Sequence, residues 1–382
     1  MNKKVIISVI IIAIILLIAI FTFNLTGYNT LGKNNEIVLG AILPLSGPAA
    51  DYGLDLQGSF NLAVDEINDQ GGINGKNIRI IFEDGKASAK DALTAAQKLI
   101  NIDNVDIIIG GISSSETLGA APYAEEQKVI LLSPTSTNPE ITYSGDYIFR
   151  TAPSDAHQGK IIAQVMINNN HKNIALLSAQ DSDFSQGIRN VFVKEFNILN
   201  GNILIEEKYV SNDLDLKTQI TKIQNINPEA IYIIADTTDS FNQILKQFKE
   251  FNIDKQLYTI SAMLTEDILN KYGDYLDQTI LASPKFDEDR QEIIDFKNKL
   301  KNYNKNPFLP IFFHASVYDD IYIIKEAIEE CKSTNTDCIK KELYSIKNRN
   351  GLLPNLSIDK YGDAVLEYNL KIIENGSLED FN

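Results

Sequence analysis

The chain has 382 residues, 44% of them apolar and 23% charged, with 35 basic against 51 acidic side chains and a net charge of −16. That length allows about two or three domains with sizeable cores, and the mix of apolar and charged residues excludes a disordered or collagen-like protein. So acidic a surface repels phosphate backbones, and nucleic acid is not an expected partner.

The sequence opens Met1-Asn2-Lys3-Lys4 and then runs almost wholly apolar over residues 5–23, interrupted only by Ser8 and Thr22. As a helix rising about 1.5 Å per residue, this run nearly spans a hydrocarbon layer about 30 Å thick. The two lysines keep residues 1–4 in the cytoplasm, so everything after the run lies outside. The run is longer than the apolar stretch of about 7–15 residues in a secretory signal, and no small-residue cleavage site precedes Asn24. Both points favour a retained transmembrane anchor or uncleaved signal over a cleaved one. No cysteine follows, which excludes a lipoprotein anchor. Residues 24–35 read as a tether.

Strands then alternate with amphipathic helices. A strand over 37–43 precedes a helix over 55–68, with Leu56, Phe60, Ala63, Val64 and Ile67 on one face. A strand over 78–82 and a helix over 90–100 come next, then a continuous apolar strand over 105–109 of the kind buried on both faces of a parallel sheet. A helix begins near Ser115 and a strand covers 129–132. The alternation restarts after a short join at 150–155 that contains Pro153. Helices are expected over 156–168, 185–199, 215–224 and 240–251, and strands over 174–177, 203–209, 230–235 and 257–260. The last third is more helical, over 287–302, 312–330 and 336–346, and closes with strand-like 356–358 and 364–373. This pattern predicts two doubly wound α/β units in close contact, with ligands expected beyond the carboxyl ends of the strands.

Three places carry candidate chemistry. Gly110-Gly111-Ile112-Ser113-Ser114-Ser115-Glu116 follows a buried strand and opens a helix, with Ser113 and Glu116 at capping-box spacing. The free N–H groups of its first turn and the hydroxyls of Ser114 and Ser115 suit an anion, or simply belong to an ordinary capped helix. Ser133-Pro134-Thr135-Ser136-Thr137-Asn138-Pro139 sets hydroxyl residues at another strand's carboxyl end, as ligand groups or as a turn whose hydroxyls bond backbone. Asp155 sits at the join between the units, suited equally to a ligand ammonium and to capping the helix that follows.

Other features are weaker. Cys331 and Cys338 are too few for a disulfide framework or a thiolate zinc site, and outside the cytoplasm they form either a local staple or two free thiols. His157, His171 and His314 lie far apart, and neither a metal nor a cofactor is expected. Asn24, Asn355 and Asn375 each open a glycosylation acceptor pattern too short to weigh. Nucleophile-elbow, phosphate-loop and zinc-helix motifs are all missing from the sequence.

Ile42-Leu43-Pro44-Leu45-Ser46-Gly47-Pro48, with Tyr52-Gly53, resembles the opening of the leucine/isoleucine/valine-binding protein family, the type I periplasmic binding proteins that serve ABC importers. The resemblance continues through residues 63–68, 71–75, 109–110, 113–115, 133–134, 149–151 and 158–159, and is weaker after 160. It implies two Rossmann-like lobes with a hinged inter-lobe cleft, made of 36–153 with 283–365 and of 154–282 with 366–382. It also implies roles. Ser114 and the backbone near Thr135 and Thr137 would hold a carboxylate, and Thr137 with Asp155 an ammonium. Tyr52 would line the side-chain pocket, and Phe184 would pack on the ligand from the second lobe. This sequence departs where the branched-chain binders have a tyrosine, with Thr237 or Thr238, and where they have a glutamate, with Ser261. Asp155 is then the only anionic partner expected.

The expected function is a monomeric extracytoplasmic solute-binding protein, tethered to the membrane by its N-terminal helix and partnered by an ABC permease. It would bind an amino acid or similar small polar solute without chemistry on it. The alternative is a ligand-sensing ectodomain working with a separate signalling partner.

Overall fold

Short apolar strands that must bury both faces, separated by helices that bury one, have few ways to pack, and the layered α/β arrangement satisfies both. The structure, a computed structural model, describes residues 36–211 and 215–381. The apolar run 5–23 and the tether 24–35 lie outside the described residues. Among those described, no helix is long and apolar enough to cross a membrane.

The first lobe's elements are β1 (Glu36–Leu43), α1 (Ala50–Asp69), β2 (Asn77–Asp84), α2 (Ala89–Asn101), β3 (Ile107–Gly110), α3 (Ser114–Glu126), β4 (Ile130–Ser133) and β5 (Ile148–Pro153). The chain crosses into a second lobe of α4 (Asp155–Asn168), β6 (Asn173–Ala179), α5 (Asp183–Ile198), β7 (Asn202–Tyr209), α6 (Lys217–Ile226), β8 (Ala230–Ile234), α7 (Thr238–Glu250), β9 (Gln256–Ile260), α8 (Glu266–Tyr272) and β10 (Ile280–Pro284). It returns through α9 (Gln291–Leu300), α10 (Ile311–Cys331), α11 (Thr336–Ser345), β11 (Ser357–Ile358) and β12 (Asp363–Val365), then ends in β13 (Tyr368–Glu374) and β14 (Ser377–Asp380) of the second sheet.

Among the described residues each sheet has seven strands, in the orders β11-β12-β5-β4-β3-β1-β2 and β14-β13-β10-β9-β8-β6-β7. Both are mixed: six consecutive strands run parallel in the first sheet and five in the second, and antiparallel pairing appears at β11–β12, β10–β13 and β13–β14. Strand order reverses between β1 and β3 in the first sheet and between β6 and β8 in the second. Each reversal splays the following connections apart and leaves a crevice at the carboxyl edge.

Several expectations change. The strand-like stretch 364–373 is two strands in different sheets, β12 paired with β5 and β13 with β10, because the chain crosses lobes between them. Strand β10 and helix α8 were not expected. Helix α3 begins at Ser114 rather than Ser115, and the expected capping box is made: Ser113 Oγ accepts from Glu116 N at 3.2 Å and Glu116 Oε2 accepts from Ser113 N at 3.0 Å. Asp155 does not cap α4. Ser154 does, its Oγ accepting from Ala156 N at 3.3 Å, and Asp155 is the first helical residue. Cys331 and Cys338 are joined by a disulfide that ties the end of α10 to the start of α11.

Candidate functional site

At the crevice the segments after β1 and β4 of the first lobe meet those after β8 and β6 of the second, with the β3 loop packed on the β4 loop. In the first lobe, Asp84 fixes the β1 loop by accepting from Leu45 N at 2.9 Å and from the Ser46 hydroxyl at 2.5 Å. Helix α1 packs so tightly on this loop that a Cβ at Gly53 would fall 2.2 Å from the Pro44 carbonyl oxygen. Tyr52, one residue earlier, is thereby aimed across the crevice. At the end of β3, Gly110 adopts φ +147°, and a Cβ there would meet the Ile42 carbonyl oxygen at 2.4 Å.

The hydroxyls of the β4 loop are largely tied to the β3 loop. Ser133 Oγ and Ser136 Oγ donate to the Gly111 carbonyl at 2.8 and 2.6 Å, Thr135 Oγ1 donates to Ile112 O at 2.6 Å, and Thr117 Oγ1 donates to Ser136 Oγ at 2.7 Å. Ser136 is therefore buried scaffolding, while Thr135 stays half-buried with its backbone at the crevice. Ser114 Oγ accepts from Asn138 N at 3.3 Å, and Ser115 is half-buried beside it. Thr137 donates to Asp155 Oδ2 at 2.5 Å, and Asp155 N donates back to the Thr137 carbonyl at 2.9 Å. Ser114 and Asp155 thus flank one short stretch, residues 137–138. Behind it the buried Arg150 guanidinium donates to Asn138 O at 2.8 Å and grips Asp363 through two bonds of 2.7 and 2.8 Å.

The second lobe contributes fewer contacts. Phe184 is half-buried against its core, and Ser261 is half-buried on a short 3₁₀ turn. Thr237 caps α7, its Oγ1 accepting from Ser240 N at 3.2 Å. The inter-lobe contact belongs to Thr238 instead, whose N–H donates to Tyr52 Oη at 2.8 Å and whose Oγ1 lies 2.9 Å from it. Asn138 Nδ2 donates to the Asp183 carbonyl at 2.5 Å, a second bond between lobes. Sequence reasoning offered Thr238 only as an alternative to Thr237, and gave no role to Asn138 or Asp236. All three sit at strand ends or helix starts, the one signal that would have marked them. Asp155 is also not the only carboxylate at the crevice, because Asp236 follows β8 on its edge.

Burial pushes the Asp155 carboxyl up to about 7, against the opposing Thr137 hydrogen bond and the Arg150 charge. Its Oδ1 is buried without a partner. Tyr52 is pushed up to about 12, first by burial, with the negative charges of Asp236 and Asp239 adding to it. Among the described residues, one three-residue cluster has metal-ligand spacing, Cys331, Cys338 and Glu342, and its sulfurs are already bonded to each other. A Ser59–His314–Asp55 string has the residue types of a hydrolase triad, with bonds of 2.9 and 3.1 Å. It is buried throughout, and Asp55 also holds Leu309 N at 3.0 Å, so the string pins α10 and its approach loop to α1.

The match to a model of the periplasmic binding proteins covers residues 36–370. The chain belongs to that family. Among curated relatives, a Leu/Ile/Val-binding protein homolog of Brucella melitensis is 25% identical over 343 residues, covering 87% of this chain and 88% of the relative. A leucine-, isoleucine-, valine-, threonine- and alanine-binding protein of Pseudomonas aeruginosa is 26% identical over 328 residues, covering 84% and 85%. Among solved structures, the branched-chain amino acid transporter substrate-binding protein of Streptococcus pneumoniae, in complex with isoleucine, superposes with a TM-score of 0.79 at 25% identity, over 91% of this chain and 99% of that one. The family's two-lobed fold accounts for both sheets and for the three crossings between them.

Proposed function

We propose that this chain is the extracytoplasmic solute-binding component of an ABC importer, taking an amino acid or similar small polar solute between its lobes by hinge closure. The observation that carries this reading is the meeting of strand-end segments from both lobes, bridged by Tyr52–Thr238 and Asn138–Asp183. A solute bonded to both edges stabilises the closed arrangement by its differential affinity for it.

In this reading the α3 N-terminus, Ser114, Ser115 and the amides near Thr135 and Thr137 take a carboxylate without any cation. Each hydrogen bond to a charged group contributes roughly 1.5–3 kcal/mol and the helix terminus up to about 2 more. Thr137 and Asp155 take an ammonium, which would supply the missing partner of Asp155 Oδ1. Tyr52 and Phe184 pack on the solute, with Thr237 and Ser261 on the far rim. The membrane tether at residues 5–23 and the permease partner belong to the same proposal.

The test is a thermal-shift screen of the full chain against amino acids, amides and small peptides. A solute at about 100 times its dissociation constant adds about 2.7 kcal/mol of stability. Ser114→Ala should lose that shift while keeping its solute-free melting temperature within a few degrees. A full shift in the variant removes Ser114 from the site, and no shift with any solute removes the amino-acid reading.

A further inference from the structure

Asp236 stands at the second lobe's switch point, directly after β8 and ahead of the α7 cap. Its Oδ1 accepts from the Tyr209 hydroxyl at 2.9 Å and from Ser240 Oγ at 2.7 Å, which fixes the direction of the carboxylate. Among the described residues, no group donates to its Oδ2 and no lysine or arginine pairs with it. Two residues on, Thr238 meets Tyr52 of the first lobe, and the Tyr52 hydroxyl lies in the field of Asp236 and Asp239. The facing loops, 110–115 and 133–138, contain no charged side chain at all and offer amides and hydroxyls.

The crevice is therefore polarised, with hydrogen-bond donors on one edge and an unpaired carboxylate on the other. Closure over an aliphatic side chain would strip water from Asp236 Oδ2 and leave the charge with the two bonds to Oδ1 and no cation, which is unfavourable for a buried charge. Closure over a cationic side chain pairs it. We propose that Asp236 sets solute selectivity by pairing with a cationic side chain, so that the solutes are basic amino acids. This rests on reading the crevice as a solute site.

The test is calorimetric titration of the full chain with L-lysine and with L-norleucine, which lacks only the side-chain amine. Wild type should bind lysine at least about 10-fold more tightly than norleucine. Asp236→Asn should bring the two within about 3-fold, through weaker lysine binding. Tyr209→Phe keeps the carboxylate but frees its orientation, so it should lose part of the preference, and it carries the test if the asparagine variant does not fold. Tighter binding of norleucine by wild type overturns the proposal and leaves the amino-acid reading standing. An undiminished lysine preference in either variant overturns the role of Asp236 alone. Binding of neither solute by wild type overturns both.

Discussion

In the first lobe, Ser133, Thr135, Ser136 and Thr117 knit the loops after β3 and β4 into one piece, and Arg150 with Asp363 clamps that piece from behind. In the second lobe, the loops after β6 and β8 are each tied to the start of their own helix: Ser182 caps α5 and Thr237 caps α7. The first edge is thus pre-organised before any solute arrives, and polar networks of this kind hold geometry because every member is satisfied. The second edge is joined through Ser185 Oγ to the Ile234 carbonyl at 2.7 Å and through the Tyr209 hydroxyl to Asp236 at 2.9 Å. Among the described residues its β6 and β8 loops share no hydroxyl-to-hydroxyl mesh like that of Thr117 and Ser136, which suits this edge to vary with the solute. Rigid recognition of a common group on one side and adjustable selectivity on the other is the division that this asymmetry teaches.

The largest test of that division is Arg150→Met. Arg150 is fully buried, and its removal leaves the Asp363 carboxylate with the Thr142 hydroxyl but no cation and frees residue 138 from its support. Breaking a buried, hydrogen-bonded pair costs about 3–5 kcal/mol. Urea unfolding should show a loss of that size, and a loss below about 1 kcal/mol would mean that the first edge is not held from behind.

Asp155 stands at the join between the two regions, and its effect depends on pH. Burial raises its carboxyl from 3.8 to about 7. Between those values the folded chain keeps the proton and the unfolded chain loses it, so folded stability falls as pH rises from 4 to 7 and levels off above. Asp155→Asn removes the ionisation. The stability of the variant relative to wild type should therefore rise across that window, by at most about 4 kcal/mol. Glu116, also raised to about 7 by burial, is common to both proteins and cancels in the difference. Thermal melts at pH 5, 6, 7 and 8 measure it. A wild type that gains on the variant as pH rises would show Asp155 ionised and partnered instead.

The same asymmetry governs how far the sequence could be read. The first edge is legible because its constraints are local. Gly110-Gly111 and Ser113 with Glu116 announce a strand-to-helix turn within seven residues, and the alternation of β1 to β5 is regular. The second edge depends on pairings that no local pattern carries. Strand β10 is five residues long and finds its antiparallel partner in β13, close to the chain end. Residues 364–373 read as one strand because alternation records which side faces a core, not which core it is. Asn375-Gly376, with φ +50° and +77°, forms the two-residue turn of the β13–β14 hairpin, a signal present in the sequence but noted there only as a glycosylation pattern too short to weigh. The Ser59–His314–Asp55 string joins residues more than 250 apart, which spacing cannot reveal.

The smallest predicted effect bears on what holds the edges together. Tyr52→Phe removes a hydroxyl that accepts from Thr238 N at the start of α7 while leaving the ring against Phe308, centroids 5.5 Å apart. Water can satisfy the exposed helix start once the lobes part, so global stability should change by less than about 1 kcal/mol. The balance between lobes together and lobes apart should move by a similar amount, roughly fivefold in population, toward the open arrangement. Solution X-ray scattering of the solute-free protein reads this as a larger radius of gyration for the variant at an unchanged melting temperature. An unaltered scattering profile would pass the role of latch to Asn138 and Asp183, whose bond starts from the rigid edge. The first lobe would then supply both the platform and the closing contact, and the division of labour between the edges would be lost.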